Sequence, residues 1–156
     1  MDGAGSNGDV CCRFFQHYVA PGKPNPGAEA FWKKMLAEQL TQLRLARELG
    51  VKKAVGTGAG SVGILHGLNG ESMGEEMRLF IKAGYSLAET IRCVSENGAG
   101  FFGMEKLGKL TGGRKATFLI ARGKVQQLPR KLSYLEGIYV DGAPSLNYRK
   151  NPVKIV

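Results

Sequence analysis

Thr57, Ser61 and His66 stand within one glycine-rich stretch, A-V-G-T-G-A-G-S-V-G-I-L-H-G over residues 54–67. Hydroxyls donate and accept hydrogen bonds, and an imidazole exchanges protons near neutral pH or meets a carbonyl or carboxylate. Glycines let the main chain approach a ligand closely. Residues Gly58 to Gly63 also spell G-x-G-x-x-G, the turn that receives a dinucleotide pyrophosphate where it follows a strand and opens a long helix. Here His66-Gly67 and Asn69-Gly70 would break the first turns of that helix. The acidic residue expected about 20 positions further on, at the end of a second strand, would fall near Lys82 inside a helical pattern. The phosphate loop G-x-x-x-x-G-K-[ST] fails outright, because no lysine follows these glycines.

Nucleophilic hydrolysis has no better footing. A serine or cysteine nucleophile needs a base and an orienting acid, and no cysteine with paired histidines is present. The only two histidines are His17 and His66, separated by a helical pattern. Ser61 and Thr57 beside glycines commonly bond their own turns, so ligand contact and turn service are both open readings for them.

The elements that must position this stretch read as α/β. Asn25 before Pro26 is an N-cap with proline at the first helical position, and Phe31, Met35, Leu36, Leu40, Leu43 and Leu49 lay an apolar stripe along a helix that Gly50 ends. Phe31 and Trp32 are read as packing residues. V-K-K-A-V at 51–55 is expected to be a short buried strand, with the glycine stretch as the loop at its C-terminal end, where ligands bind in parallel α/β folds. Ser72 with Glu75 and Ser86 with Glu89 match the S-x-x-E capping box. They predict one helix through Met77, Phe80 and Ile81 ending at Gly84, and another through Leu87, Ile91 and Val94 ending near Asn97-Gly98. From Gly108 onward, short β-prone runs separated by Gly-Gly, Arg-Gly and Asp-Gly predict a small sheet.

Residues 1–105 balance eleven basic against eleven acidic residues, so the net charge of +9 lies in residues 106–156. Arg114-Lys115, Arg122, Lys124, Arg130-Lys131 and Arg149-Lys150, interleaved with Tyr134, Tyr139 and Tyr148, raise a second reading, an anion- or nucleic-acid-binding module. Charged side chains on exposed strands also keep edges from associating, and no RRM, KH or helix-turn-helix signature accompanies them, so nucleic acid is not the expected partner. No stretch has the roughly 18 apolar residues of a membrane span, and the N-terminus lacks the basic and apolar regions of a signal peptide. Cys11, Cys12 and Cys93 form neither a disulfide framework nor a zinc motif. A soluble protein of the reducing cytoplasm is expected.

The longer pattern resembles a known family. A-R-E-L-G-V-K-K-A-V-G-T-G-A-G-S-V-G-I-L-H-G, followed by E-E-M-R-L-F-I-K-A-G-Y-S-L-A-E-T-I-R-C-V-S-E-N-G-A-G-F-F-G-M and the glycine-led run into A-T-F-L-I-A, is similar to the C-terminal region of the metal-dependent amidohydrolases, in particular their imidazolonepropionase and prolidase-like branch. The likeness runs from about Ala30 to Pro144. It rests on the ordered series G-T-x-A-G, H-G, E-M, A-G-x-S-x-x-E-x-I and N-G-A.

The resemblance implies a partial TIM-like (β/α) barrel followed by part of a small β-sandwich. Residues 1–25 would be an irregular segment with a possible strand at 10–19, residues 26–105 the last β/α units, and residues 106–156 a small, basic, β-rich part. It also implies hydrolysis of a non-peptide or dipeptide C–N bond, with a divalent metal such as zinc in complete members and a small amide as substrate. His66 would lie on the substrate side of the loop, flanked by Thr57 and Ser61. Gly58 stands where the family carries the aspartate that binds metal and takes the proton from water, and a hydrogen atom does neither. No catalytic or metal-binding residue is therefore expected in this chain, and no cofactor. A whole barrel takes about 250 residues, so a shortened product, a fragment or one piece of a split protein is expected. Its partner would be a second copy or a complementary barrel fragment.

Overall fold

The computed structural model describes residues 26–57 and 69–148. The first helix, α1 (Pro26–Glu48), starts with proline at its first position, where a missing N–H costs nothing. Leu36, Leu40, Leu43 and Ala46 follow at spacings that share one face; the last three are buried and Leu36 is partly so. Phe31 and Leu49, expected in the same stripe, are 55% and 68% exposed. The reason is length. At 1.5 Å per residue, α1 with 23 residues spans about 35 Å, while the two helices packed beside it, with 14 and 8 residues, span about 21 and 12 Å. Its ends therefore outrun its cover. The Trp32 side chain lies outside the described residues.

Gly50, at φ +65°, closes α1. Its N–H donates to Arg47 O (3.0 Å) and the Val51 N–H to Ala46 O (2.9 Å), the paired bonds of a Schellman motif. Residues 51–57 then run without joining a ladder, which corrects the expected strand at 51–55. A strand exists only against a neighbour, and here helix residues take the neighbour's place. The Val55 N–H donates to Cys93 O (3.2 Å), and Asn97 Nδ2 donates to Lys53 O (2.7 Å).

The second helix, α2 (Asn69–Lys82), begins three positions before Ser72, so Ser72-x-x-Glu75 is not its cap. Glu75 instead pairs with Arg78, one turn on. Met77 and Phe80 are buried as expected, whereas Ile81 is exposed. Gly84, at φ +97°, ends the helix with the same paired bonds, and its Schellman contact is aromatic, the Phe80 and Tyr85 rings lying 5.0 Å apart.

The third helix, α3 (Leu87–Val94), carries the capping box expected of Ser86 and Glu89. The Glu89 N–H donates to Ser86 Oγ (3.2 Å), and the Ser86 N–H donates to Glu89 Oε2 (2.7 Å). Its buried residues are Thr90 and Cys93, not the expected Leu87, Ile91 and Val94. The Thr90 hydroxyl is already spent on Ser86 O (2.9 Å), so its methyl face goes inward without an unmet donor. α3 stops at Ser95, before the expected end near Asn97-Gly98, and a fourth, short helix, α4 (Glu96–Phe101), follows, where a turn or short helix was expected from A-G-F-F-G-M at 99–104. Leu40, Leu43, Leu79, Phe80, Ala83, Tyr85 and Cys93 form the core, with Leu36 and Val55 against it.

The β-rich part is a three-stranded antiparallel sheet, as the Gly-punctuated runs predict: β1 (Phe118–Ala121), β2 (Leu135–Val140) and β3 (Ala143–Pro144), in that order. Phe118 faces Tyr139 in register, and their rings stack at 4.9 Å. Glu136 is the extra residue where the register shifts between β1 and β2. Short 3₁₀ turns at Val125–Gln127 and Arg130–Ser133 connect β1 to β2, the second beside α2. Asp141 and Gly142 turn β2 into β3 with φ of +50° and +84°, the two positive values of a type I′ turn. Asp141 is fixed there by Lys115 Nζ (2.8 Å) and the Thr117 hydroxyl (3.3 Å), and its own N–H donates to Thr117 Oγ1 (3.1 Å). Asp141→Ala removes the two carboxylate contacts and leaves an alanine at positive φ, so the melting temperature should fall more than in Asp141→Gly, which loses the same contacts but suits the turn geometry.

Candidate functional site

The described base of the glycine stretch is built from two elements. Segment 51–57 arrives from the Schellman turn of α1, and the junction of α3 and α4 clips it through Cys93 O and Asn97 Nδ2. Val55 seats against the core, which fixes where Thr57 emerges. Thr57 is half-buried. Gly58, Ser61 and His66 lie outside the described residues; of the four, the structure describes Thr57.

Asn97 and Cys93 are the residues that sequence reading missed. Asn97 also donates to Cys93 Sγ at 3.8 Å, and burial pushes the Cys93 thiol above its ordinary pKa, so it packs as a neutral group rather than serving as a nucleophile. Asn97→Ala would leave Lys53 O without its donor. It should lower stability by about 1 kcal/mol and speed amide exchange across residues 51–57; unchanged exchange there would mean the clip does not hold the segment.

Segment 51–57 carries the cations Lys52 and Lys53 and no carboxylate, imidazole or thiolate, the side chains that zinc favours. Among the described residues no three His, Cys, Asp or Glu side chains gather as a metal-holding group.

A second constellation braces the site from behind. Arg47 Nε donates to both Glu89 oxygens (3.2 and 3.3 Å), and its guanidinium lies 6.0 Å from the centre of the Tyr85 ring. The Tyr85 hydroxyl donates to Leu43 O (3.1 Å), tying the turn before α3 to α1. Hydrogen bonds from Ser86 hold the Glu89 carboxyl below its ordinary pKa, with Arg47 adding to the effect. A carboxylate depressed in the folded state stabilises above its unfolded pKa, and that contribution disappears as pH falls through the folded value. The melting temperature should therefore drop on acidification, and Glu89→Gln should drop less across the same acid range.

Of the eight basic side chains in residues 106–148, four are engaged within the fold. Lys115 pairs with Asp141 (2.8 Å), Lys109 with Glu96 (3.4 Å) and Arg122 with Glu136 (3.7 Å). Arg114 donates to the main-chain oxygens of Glu105 and Leu107. An open cleft of about 520 Å³ lies beside them, lined by Gly103, Met104, Glu105, Lys106, Leu107 and Lys115. Arg149 and Lys150 lie outside the described residues. No helix among the described residues is long and apolar enough to cross a membrane.

Comparison with known proteins gives one family and one fold. The model of the amidohydrolase family matches residues 9–155. A crystal structure of an amidohydrolase superposes with a TM-score of 0.66 at 21% identity, over 90% of this chain and 33% of that one. At this identity the likeness concerns the fold, and the chain spans about a third of that structure's length. No curated protein matches the chain.

Proposed function

Because the chain belongs to the amidohydrolase family, we propose that it carries the closing part of a C–N hydrolase scaffold and that, alone, it neither holds a divalent metal nor turns over an amide. The single observation that carries this reading is Gly58, which stands where the family's G-T-D-A-G series has its metal-binding and proton-accepting aspartate. Water bound near a cation still needs a base within about 3 Å to take its proton and pass it to the leaving nitrogen. Glycine supplies no such group, and the described neighbours, Lys52, Lys53 and Thr57, do not compensate.

What remains is a binding surface. Thr57, Ser61 and His66 would contact the polar groups of an amide substrate in a complete protein of this type, and the imidazolonepropionase and prolidase-like branch fits the ordered motifs best. The substrate class would then be a cyclic amide or a dipeptide. Equilibrium dialysis against zinc, read with assays on a lactam and a dipeptide, tests this. We expect substoichiometric metal and no turnover above the no-protein rate. One zinc per chain accompanied by hydrolysis would refute the reading.

A further inference from the structure

Arg114 is among the basic residues that raise the anion-binding reading, yet its guanidinium is spent within the chain. Nη1 donates to Glu105 O and to Leu107 O (3.4 Å), main-chain oxygens of the loop that leaves α4. The second oxygen belongs to the planar peptide unit that joins Leu107 to Gly108. Gly108 in turn lies flush on the start of α4. Its φ is +80°, and a β-carbon there would come within 2.7 Å of Ser95 O and 2.8 Å of Glu96 Cα. Lys109 adds an ion pair to Glu96 (3.4 Å). The residue after Glu96 is Asn97, whose Nδ2 holds Lys53 O (2.7 Å). A continuous series of contacts thus runs from Arg114, through Gly108 and the first turn of α4, to the segment that carries Thr57.

We infer that Arg114 is a positioning residue for the base of the glycine stretch. By gripping the main chain at 105–107 it keeps Gly108 seated on Ser95 and Glu96, and so keeps Asn97 where it holds Lys53 O. The restraint is needed because a surface loop left to its own conformational freedom would let Gly108 lift away. An exposed ion pair such as that of Lys109 with Glu96 contributes little by itself. A charged donor bonded to two carbonyls of the same loop does more. Lys115 N–H also bonds Lys106 O (2.9 Å), a main-chain tie that no side-chain change removes, so the loop outlasts the loss of the guanidinium in a looser form. Arg114 is exposed, and trimming it opens no cavity. The part this gives Arg114 in ligand binding rests on the reading of Thr57 as a site residue, whereas its hold on segment 51–57 does not.

Residue-resolved amide exchange on the full chain tests the link without any ligand. The probe is the Val55 N–H, which donates to Cys93 O from within the held segment. Arg114→Ala should speed its exchange by about fivefold or more, the lower end of couplings between linked sites, with the far-ultraviolet spectrum unchanged. Arg114→Lys keeps one donor nitrogen and should restore part of the protection. Asp141→Ala weakens the same β-rich part without touching the link, and should leave Val55 at the parent rate. The double variant decides the route. Asn97→Ala already cuts the last contact, so adding Arg114→Ala to it should change the Val55 rate by less than about twofold, whereas independent losses would multiply. The inference is overturned by an unchanged Val55 rate in Arg114→Ala, by an equal acceleration in Asp141→Ala, or by effects of Arg114→Ala and Asn97→Ala that multiply. If Arg114→Ala does not fold, Arg114→Lys alone and combined with Asn97→Ala decides by the same comparison. Zinc content and amide turnover are read separately, so failure of this link and failure of the functional reading are told apart.

Discussion

Gly108→Ala should unfold much of the population at 25 °C, or cost about 4 kcal/mol if it folds. Two costs coincide at this residue. Its φ of +80° is one that L side chains avoid, at about 1–2 kcal/mol. A β-carbon built there would also lie 2.7 Å from Ser95 O and 2.8 Å from Glu96 Cα, both main-chain atoms at the junction of α3 and α4. That junction cannot retreat freely, because Ser95 Oγ donates to Ile91 O (2.6 Å), Glu96 pairs with Lys109 (3.4 Å), and Asn97 holds Lys53 O. Gly113 is the control. It has the same φ of +80°, but nothing lies within 4 Å of its virtual β-carbon, so Gly113→Ala should cost only about 1 kcal/mol. Urea denaturation of both variants separates backbone strain from steric contact; equal losses would show that the close approach at Gly108 yields.

Gly108 also shows what the sequence could convey. Reading along the chain marks it as the glycine where β-prone texture begins, but its actual constraint lies at Ser95, in a different element. Signals whose partners sit within a few residues were legible: Pro26 and Gly50 at the ends of α1, the Ser86–Glu89 box, the Asp141-Gly142 turn. The identical box at Ser72 misled, because a helix that already runs from Asn69 offers Ser72 no first-turn N–H groups to cap. The strand expected at 51–55 and the face expected of α3 failed for a related reason. A ladder partner and a buried face are both set by distant neighbours, and Thr90 qualifies for burial only once its hydroxyl is satisfied on Ser86. For the site, the motif series led to the family, whereas the clip that holds its base joins residues 44 apart and has no local signature.

The core beneath that base supplies the other large effect. Phe80→Ala should cost about 3–5 kcal/mol, a large share of the 5–15 kcal/mol that separates folded from unfolded domains. Phe80 is 2% exposed at the centre of the cluster shared by α1, α2 and α3, and truncation leaves a void that Leu43, Leu79 and Tyr85 must line. Tyr85 cannot swing in to fill it. Its hydroxyl is tied to Leu43 O (3.1 Å), its ring lies near the Arg47 guanidinium, and its backbone follows the glycine turn at φ +97°. Collapse is therefore incomplete, which places the cost toward the upper half of the range. Phe102→Ala, at 77% exposure, should change stability by less than about 0.5 kcal/mol. Since Val55 rests on the same cluster, the loss at Phe80 should reach the site: amide exchange at Val55 should accelerate in Phe80→Ala to the rate of global unfolding. Slow exchange there in a destabilised Phe80→Ala protein would show that Cys93 O and Asn97 alone anchor the base of the loop, independently of the core.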